Sequence, residues 1–389
     1  MRGWKWALAG LAAAMLLAGC KGFWTAPPTT GTPGTGTASG VFYVLNQKTS
    51  QVVGFSIPTG STTPTAVTNG SANLAGAPLS MTIDPKSGSF LYVSTGAGIY
   101  LYTIGTGGTL TIGNSGQAIS ADPAFAMAVD PTDQWLVESI PGTGTLSAIP
   151  LDPTTGLSNS SVQVATVTLP NTNVQQVAIS PSGAATPYVY VAMGAGGTEV
   201  IPFTAANATP FGSGVNIAVK GSGGGASAVA VDPSNRMVYI AETAAVSGTQ
   251  SGGLRAFTIG ASSLTEITKT AAYATGGTGP SAILPTANYV FVANKAVSGS
   301  TTGNITGFTI DSSAGVLSLT SVSTIAAGAG TLGLAEESTS TYVLAVNSGG
   351  GPDLSSYTFD TTTLGKLDAG KTGTTGTDPV VAVAIAAVP

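Results

Sequence analysis

Few residues in this chain could do chemistry. It carries 17 acidic and 12 basic residues, no histidine, and a single cysteine at position 20. Hydrolysis near neutral pH takes a base or a metal-activated water, plus donors for the developing oxyanion. Histidine is the usual base, so this chain would have to use carboxylates or lysine instead. Glu138, Glu199 and Glu242 are the isolated candidates. Acidic side chains are mostly exposed, so each reads first as a solvated loop charge. No G-x-S-x-G, H-E-x-x-H or phosphate-loop pattern occurs. Asp84, Asp130 and Asp232 each precede a proline. They fall in different repeats, which keeps them from pooling around one cation, and capping of the turn by backbone N–H groups accounts for them. Neither a metal nor another cofactor is expected.

The cysteine sits in a different context. Ahead of it come a cationic start (Arg2, Lys5), an apolar run from Trp6 to Leu17 and a small-residue exit at Ala18-Gly19. These are the parts of a secretory signal, too short to span a bilayer stably. Leu17-Ala18-Gly19-Cys20 resembles the bacterial lipobox, which implies that residues 1–19 are removed and Cys20 is lipidated. The alternative is an ordinary cleaved signal ending near a cysteine. Lys21 stands where an aspartate favours inner-membrane retention in proteins of the kind it resembles. The expected location is therefore the bacterial cell envelope, at the outer membrane or cell surface, with the membrane a partner through the lipid anchor. Residues 20–40 include TAPPTTGTPGTGTASG, a flexible tether with little to bury.

Removing the signal takes Arg2 and Lys5 from the 12 cationic residues, leaving 10 against 17 acidic ones, a formal charge of −7. That argues against a nucleic-acid partner. One cysteine gives no disulfide framework. With 43% hydrophobic and 7% charged residues, stability must come from burial, and 54 glycines with 23 prolines point to many turns.

One short apolar strand recurs: FYVLN at Phe42, LYVST at Leu91, WLVES at Trp135, VYVAM at Val189, VYIAE at Val238, VFVAN at Val290 and VLAVN at Val343. The spacing is about 50 residues, in the range of propeller blades. Most copies follow a small-residue strand ending in Asp-Pro or Ser-Pro, and each precedes a Gly- or Ser-rich loop and a third strand such as LRAFTI or NITGFTI. A weaker fourth strand follows, which makes one antiparallel blade. The first body strand, at Val41, is of the second-strand type, and the chain closes on an orphan first strand, Val380 to Val388. Pairing the two closes the ring and removes an exposed edge. The expectation is an all-β, seven-bladed β-propeller of four-stranded antiparallel blades over residues 41–389.

This order of strands resembles the seven-bladed lactonase-like propellers of the 6-phosphogluconolactonase and cycloisomerase type, and the related YVTN repeats. The resemblance implies catalytic histidines beside prolines at the head of the innermost strand, with arginines and a glutamate nearby. The matching places here read Pro78-Leu79, Pro123-Ala124, Pro280-Ser281 and Pro379-Val380. Arg236 and Arg255 fall in a first-to-second-strand turn and a third strand, respectively. Two functions therefore stand side by side: a non-catalytic binding or scaffold module, and a lactonase-like hydrolase with a rebuilt, histidine-free site.

A ligand is expected on the face that carries the loops between second and third strands. Those loops look long at Glu242 to Gly253, Asn294 to Gly303 and Asn347 to Asp353. They would present Glu242, Gln250, Lys295, Asn304, Asn347 and Asp353 above a channel mouth also lined by Gln175 and Gln176. A neutral polar partner, a glycan or another envelope protein, fits such a rim; the alternative is that the loops are tolerated insertions.

Overall fold

The structure, a computed structural model, describes residues 40–58, 61, 63–244, 251–260, 263–267, 272–311, 318–350, 352–373 and 382–389. Cys20, Gln250 and Val380 lie outside the described residues.

Period-two alternation of apolar residues, broken by Gly-, Pro- and Asp-rich turns, produces seven sheets of four-stranded antiparallel order. Blade 2 runs Pro78–Ile83, Phe90–Thr95, Gly98–Ile104 and Leu110–Ile112; blade 3 runs Met127–Val129, Trp135–Ile140, Thr145–Pro150 and Ala165–Thr168. Blade 4 is Gln176–Ile179, Tyr188–Ala192, Thr198–Pro202 and Val215–Ile217. In blade 5, Gly225–Val231, Met237–Thr243, Gly253–Ile259 and Leu264–Glu266 are joined by the short strand Tyr273–Ala274, which pairs with the third. Blade 6 comprises Thr278–Pro285, Tyr289–Ala296, Thr302–Asp311 and Ser318–Ala329; blade 7 comprises Thr331–Glu336, Tyr342–Asn347, Leu354–Phe359 and Leu367–Gly373.

Blade 1 is built from both ends of the body. Gly40–Asn46, Gln51–Ile57 and Thr65–Asn73 are completed by Ala382–Ala387, with Phe42 opposite Ala387 and Val44 opposite Ile385. The first strands of successive blades touch one another in a closed cycle around the channel. Where the last blade meets the first, a Cβ on Gly333 would lie 3.2 Å from Ile385 Cγ2. Glycine lets the two inner strands approach there.

The core lies in seven apolar layers, one between each pair of neighbouring blades. Side chains of the recurrent strand alternate between layers: Leu91 and Val93 pack toward blade 1, Tyr92 toward blade 3. The aromatic of that strand also ties blades by hydrogen bonds. Tyr43 Oη donates to Gly108 O of blade 2 at 2.8 Å, Tyr92 Oη to Gly156 O of blade 3 at 2.9 Å, and Trp135 Nε1 to Ala205 O of blade 4 at 2.8 Å. Tyr342 Oη reaches Ser61 O at 2.6 Å, across the closure. Among the described residues there is no α-helix, and no helix long and apolar enough to cross a membrane.

The Asp-Pro aspartates cap their turns as expected. Asp130 accepts from the backbone N–H groups of Thr132, Gln134 and Trp135, and Asp84 from those of Ser87 and Phe90.

Candidate functional site

The head of the channel is shaped by β-bulges. The pairing of first and second strands shifts at Val383 in blade 1, Leu79 in blade 2, Ser227 in blade 5, Ser281 in blade 6 and Leu332 in blade 7. A bulge re-aims the extra side chain out of the ladder, and such bends recur beside active sites. The positions that the family resemblance marks for catalysis at Pro78-Leu79 and Pro280-Ser281 thus fall on these bends. Their occupants do not titrate. Ser281 Oγ donates to Thr331 O of blade 7 at 2.6 Å, and Ser227 Oγ to Pro280 O of blade 6 at 2.6 Å. Ser80, next to the blade 2 bulge, donates to Ala124 O of blade 3 at 2.8 Å. These hydroxyls stitch the inner strands of blades 2 and 3, 5 and 6, and 6 and 7 together.

Gln176 belongs to the same system. It is buried, and its Oε1 accepts from Val229 N of blade 5 at 3.1 Å. Gln175 beside it is half-buried and donates from Nε2 to Asn173 Oδ1 at 2.7 Å.

Of the other rim residues, those described, Glu242, Lys295, Asn304, Asn347 and Asp353, lie in strand ends and hairpins. In blade 6 the strands extend to Ala296 and resume at Thr302, with Asn304 opposite Asn294. Asn304 is buried, donating to Gly276 O at 2.8 Å and accepting from Asn294 Nδ2 at 2.7 Å. Asn347 is buried too; it donates to Pro352 O at 2.9 Å and accepts from Thr331 Oγ1 at 2.8 Å. Asp353 is buried at the foot of the same turn, where its carbonyl accepts from Asn347 N. Lys295 is half-buried between blades 6 and 7, and desolvation lowers its pKa.

Glu242 is 1% exposed and makes a 2.6 Å ion pair with Arg255 Nη1, while Lys220 N donates to its other oxygen at 2.9 Å. Arg255 also grips Glu266 through Nε and Nη2 at 2.9 and 3.0 Å, and stands 5.0 Å over the Phe257 ring. Burial works against the Glu266 charge, yet bonds from Arg255 and Lys220 outweigh it and lower its pKa. This is an internal, charge-balanced network on blade 5.

The three glutamates expected as solvated loop charges are all strand residues and buried: Glu242, Glu199 and Glu138. Each points into packing, because its alternation places it on a blade face. Glu138 is 2% exposed, and its Oε2 is enclosed without a partner. Burial, then the nearby Asp122 charge, pushes its pKa up to about 8. In the register set by the turn bonds, its place is taken in the other blades by Val44, Val93, Val191, Ile240, Val292 and Ala345. Lining up the seven recurrent strands would have singled out that carboxyl. Asp133 was not legible as special. It sits in the turn beside Asp130, at φ 60°, and burial followed by the charges of Asp84 and Asp130 raises it to about 7. Aspartates of different blades therefore do meet here, although among the described residues no group of three or more Asp, Glu, His or Cys could hold a metal ion.

Outside the channel, a groove of about 290 Å³ opens between blades 2 and 3, walled by Ile119, Ile149, Val162 and Val164 with Ser120 and Asn159.

No protein-family model and no curated protein matches the sequence. Solved structures do share the fold. A putative 6-phosphogluconolactonase from Bacteroides fragilis superimposes with a TM-score of 0.66 at 14% identity, over 92% of this chain and 100% of that one. A second, from Bacteroides uniformis, gives 0.66 at 15% identity over 90% and 99%. The periplasmic gluconolactonase of Pseudomonas aeruginosa gives 0.60 at 16% identity over 89% and 100%. The chain is similar in fold to lactonase-like propellers.

Proposed function

We propose that this ring is a non-catalytic binding or scaffold module of the bacterial cell envelope, held to the membrane by a lipid on Cys20. The observation that carries the reading is the channel head. Its bulged positions hold Leu79, Ser227, Ser281, Leu332 and Val383, and the two serines donate to backbone carbonyls of the next blade. Lactone opening needs a base and an oxyanion donor with free capacity, and these positions supply neither. A glycan or another envelope protein is the partner class, met on the face of blades 4 to 7 where Gln175 and Lys295 reach solvent. The signal-like leader, the lipobox-like Leu17-Ala18-Gly19-Cys20 and the following Lys21 support an outer-membrane or surface address.

The anchor is tested by metabolic labelling with a lipid analogue in cells. The wild type should be marked and Cys20→Ala unmarked; equal labelling of both removes the anchor from the account. Binding is tested on an array of neutral glycans and with purified envelope proteins. Capture that weakens with Gln175→Ala or Lys295→Ala supports this face, and capture indifferent to both refutes it.

A lactonase-like hydrolase is the second reading. The names of the structural neighbours bring it forward.

A further inference from the structure

The seam between blades 2 and 3 differs in construction from its neighbours. Leu136 belongs to the apolar layer of this seam, so Glu138, two residues further along the strand, faces it as well. Met127 and Ser147 are its cross-strand partners. No side-chain hydrogen bond to Glu138 forms among the described residues, and its Oε2 is sealed from solvent. At the other end of the seam, the turn of blade 3 places Asp133 against the turn of blade 2, close to Asp84 and Lys86. Asp133 is 3% exposed, and its Oδ1 has no partner. Between these two carboxyls lie Phe90, Tyr92, Leu101 and Leu136.

One inner strand meeting here is short. The inner strand of blade 3 is Met127–Val129, three residues, against seven in blade 5 and eight in blade 6. The 290 Å³ groove opens at the rim of the same seam. Fewer ladder bonds, a gap at the rim and an unpartnered carboxyl oxygen at each end coincide at one junction.

We infer that the blade 2 and 3 seam is a proton-held joint, closed while Glu138 and Asp133 carry protons and loosened when they ionise. The charged groups facing Glu138 reduce to Asp122, in the loop entering blade 3, which repels the ionised form. Those facing Asp133 are Asp84 and Asp130, with Lys86 opposing them; Tyr92 also feels Asp84 and Asp133. Anions outnumber the cation at both ends. Burial is the largest cause in each case and sets the two groups at about 8 and about 7. A carboxyl raised in the fold supports it fully below its unfolded value, and that support is lost as pH rises through the folded value. The joint therefore loosens from about pH 7 upward.

Hydrogen exchange of the full chain between pH 6 and 9, corrected for the intrinsic rate, tests this. Amides of Phe90–Ile104 and Met127–Ile140 should open roughly a hundredfold more at pH 9 than at pH 6, while Thr278–Thr309 in blade 6 stays level. In Glu138→Gln/Asp133→Asn the difference between regions should vanish. Asparagine is already native at the matching turn position, Asn235 at φ 54°, and Glu138→Val copies the aliphatic side chain of other blades should the glutamine variant fold poorly. An equal rise in all blades, or an unchanged local rise in the double variant, overturns the joint.

Discussion

Blades 3 and 5 bury a glutamate near the same end of the same strand and treat it in opposite ways. Glu242 meets Arg255 at 2.6 Å and a backbone N–H at 2.9 Å, inside a network that continues through Glu266 to Lys220. Glu138 meets neither a cation nor a donor. A carboxylate removed from water must be paired, hydrogen-bonded or neutralised. Blade 5 pairs it; blade 3 keeps the proton. The contrast shows that the state of a buried carboxyl in a repeat fold is decided by one blade's own neighbours.

Arg255→Ala strands Glu242 without its cation and removes the stack over Phe257, so blade 5 acquires the condition of blade 3. Urea unfolding at pH 7 should show a loss of about 3–5 kcal/mol, and a loss near zero would mean that the network is ornamental. From the blade 3 side, the effect is smaller and depends on pH. Glu138 contributes fully below the ordinary glutamate value of 4.5, and that contribution is lost as pH passes about 8. The wild type should thus lose on the order of 2–3 kcal/mol between pH 6 and 9. Glu138→Gln should flatten that dependence, and parallel pH curves for the two proteins would contradict the assignment.

A neutral link gives the next step down. Ser281→Ala deletes the 2.6 Å bond to Thr331 O between blades 6 and 7, with an expected cost of about 1–2 kcal/mol that does not vary with pH. A thermal midpoint identical to the wild type would show that the serine does not hold the inner strands together. Last, Lys366 pairs with Asp360 and Asp368 on the surface of blade 7. Lys366→Ala should leave the midpoint unmoved, because exposed pairs gain little in water.

The ring was legible because its signals are local and repeated. Strand alternation, the Asp-Pro turn and the spacing near 50 residues each recur, and the unmatched first strand at the end demanded closure. The structure places that strand at Ala382–Ala387 within the expected Val380 to Val388. The rim was less legible, because burial of a strand's last residue is decided by distant partners. Asn294 looks like a loop residue until Thr275 and Asn304 enclose it, and Glu242 looks solvated until Arg255 arrives from the next strand. The blade 6 loop also looked long because Gly and Ser are common there, yet those residues lengthen a hairpin to Ala296 and Thr302. Glu138 was read by its type, which favours exposure, when its register among aliphatic neighbours was the stronger signal.

The most direct test of the account is hydrolysis of a panel of sugar lactones, gluconolactone included, by the purified full chain across pH 6 to 9. A channel head of leucine and backbone-bonded serine predicts no turnover above the uncatalysed rate at any pH. Saturable turnover that falls with Glu138→Gln or with Lys295→Ala would contradict it and make the ring an enzyme.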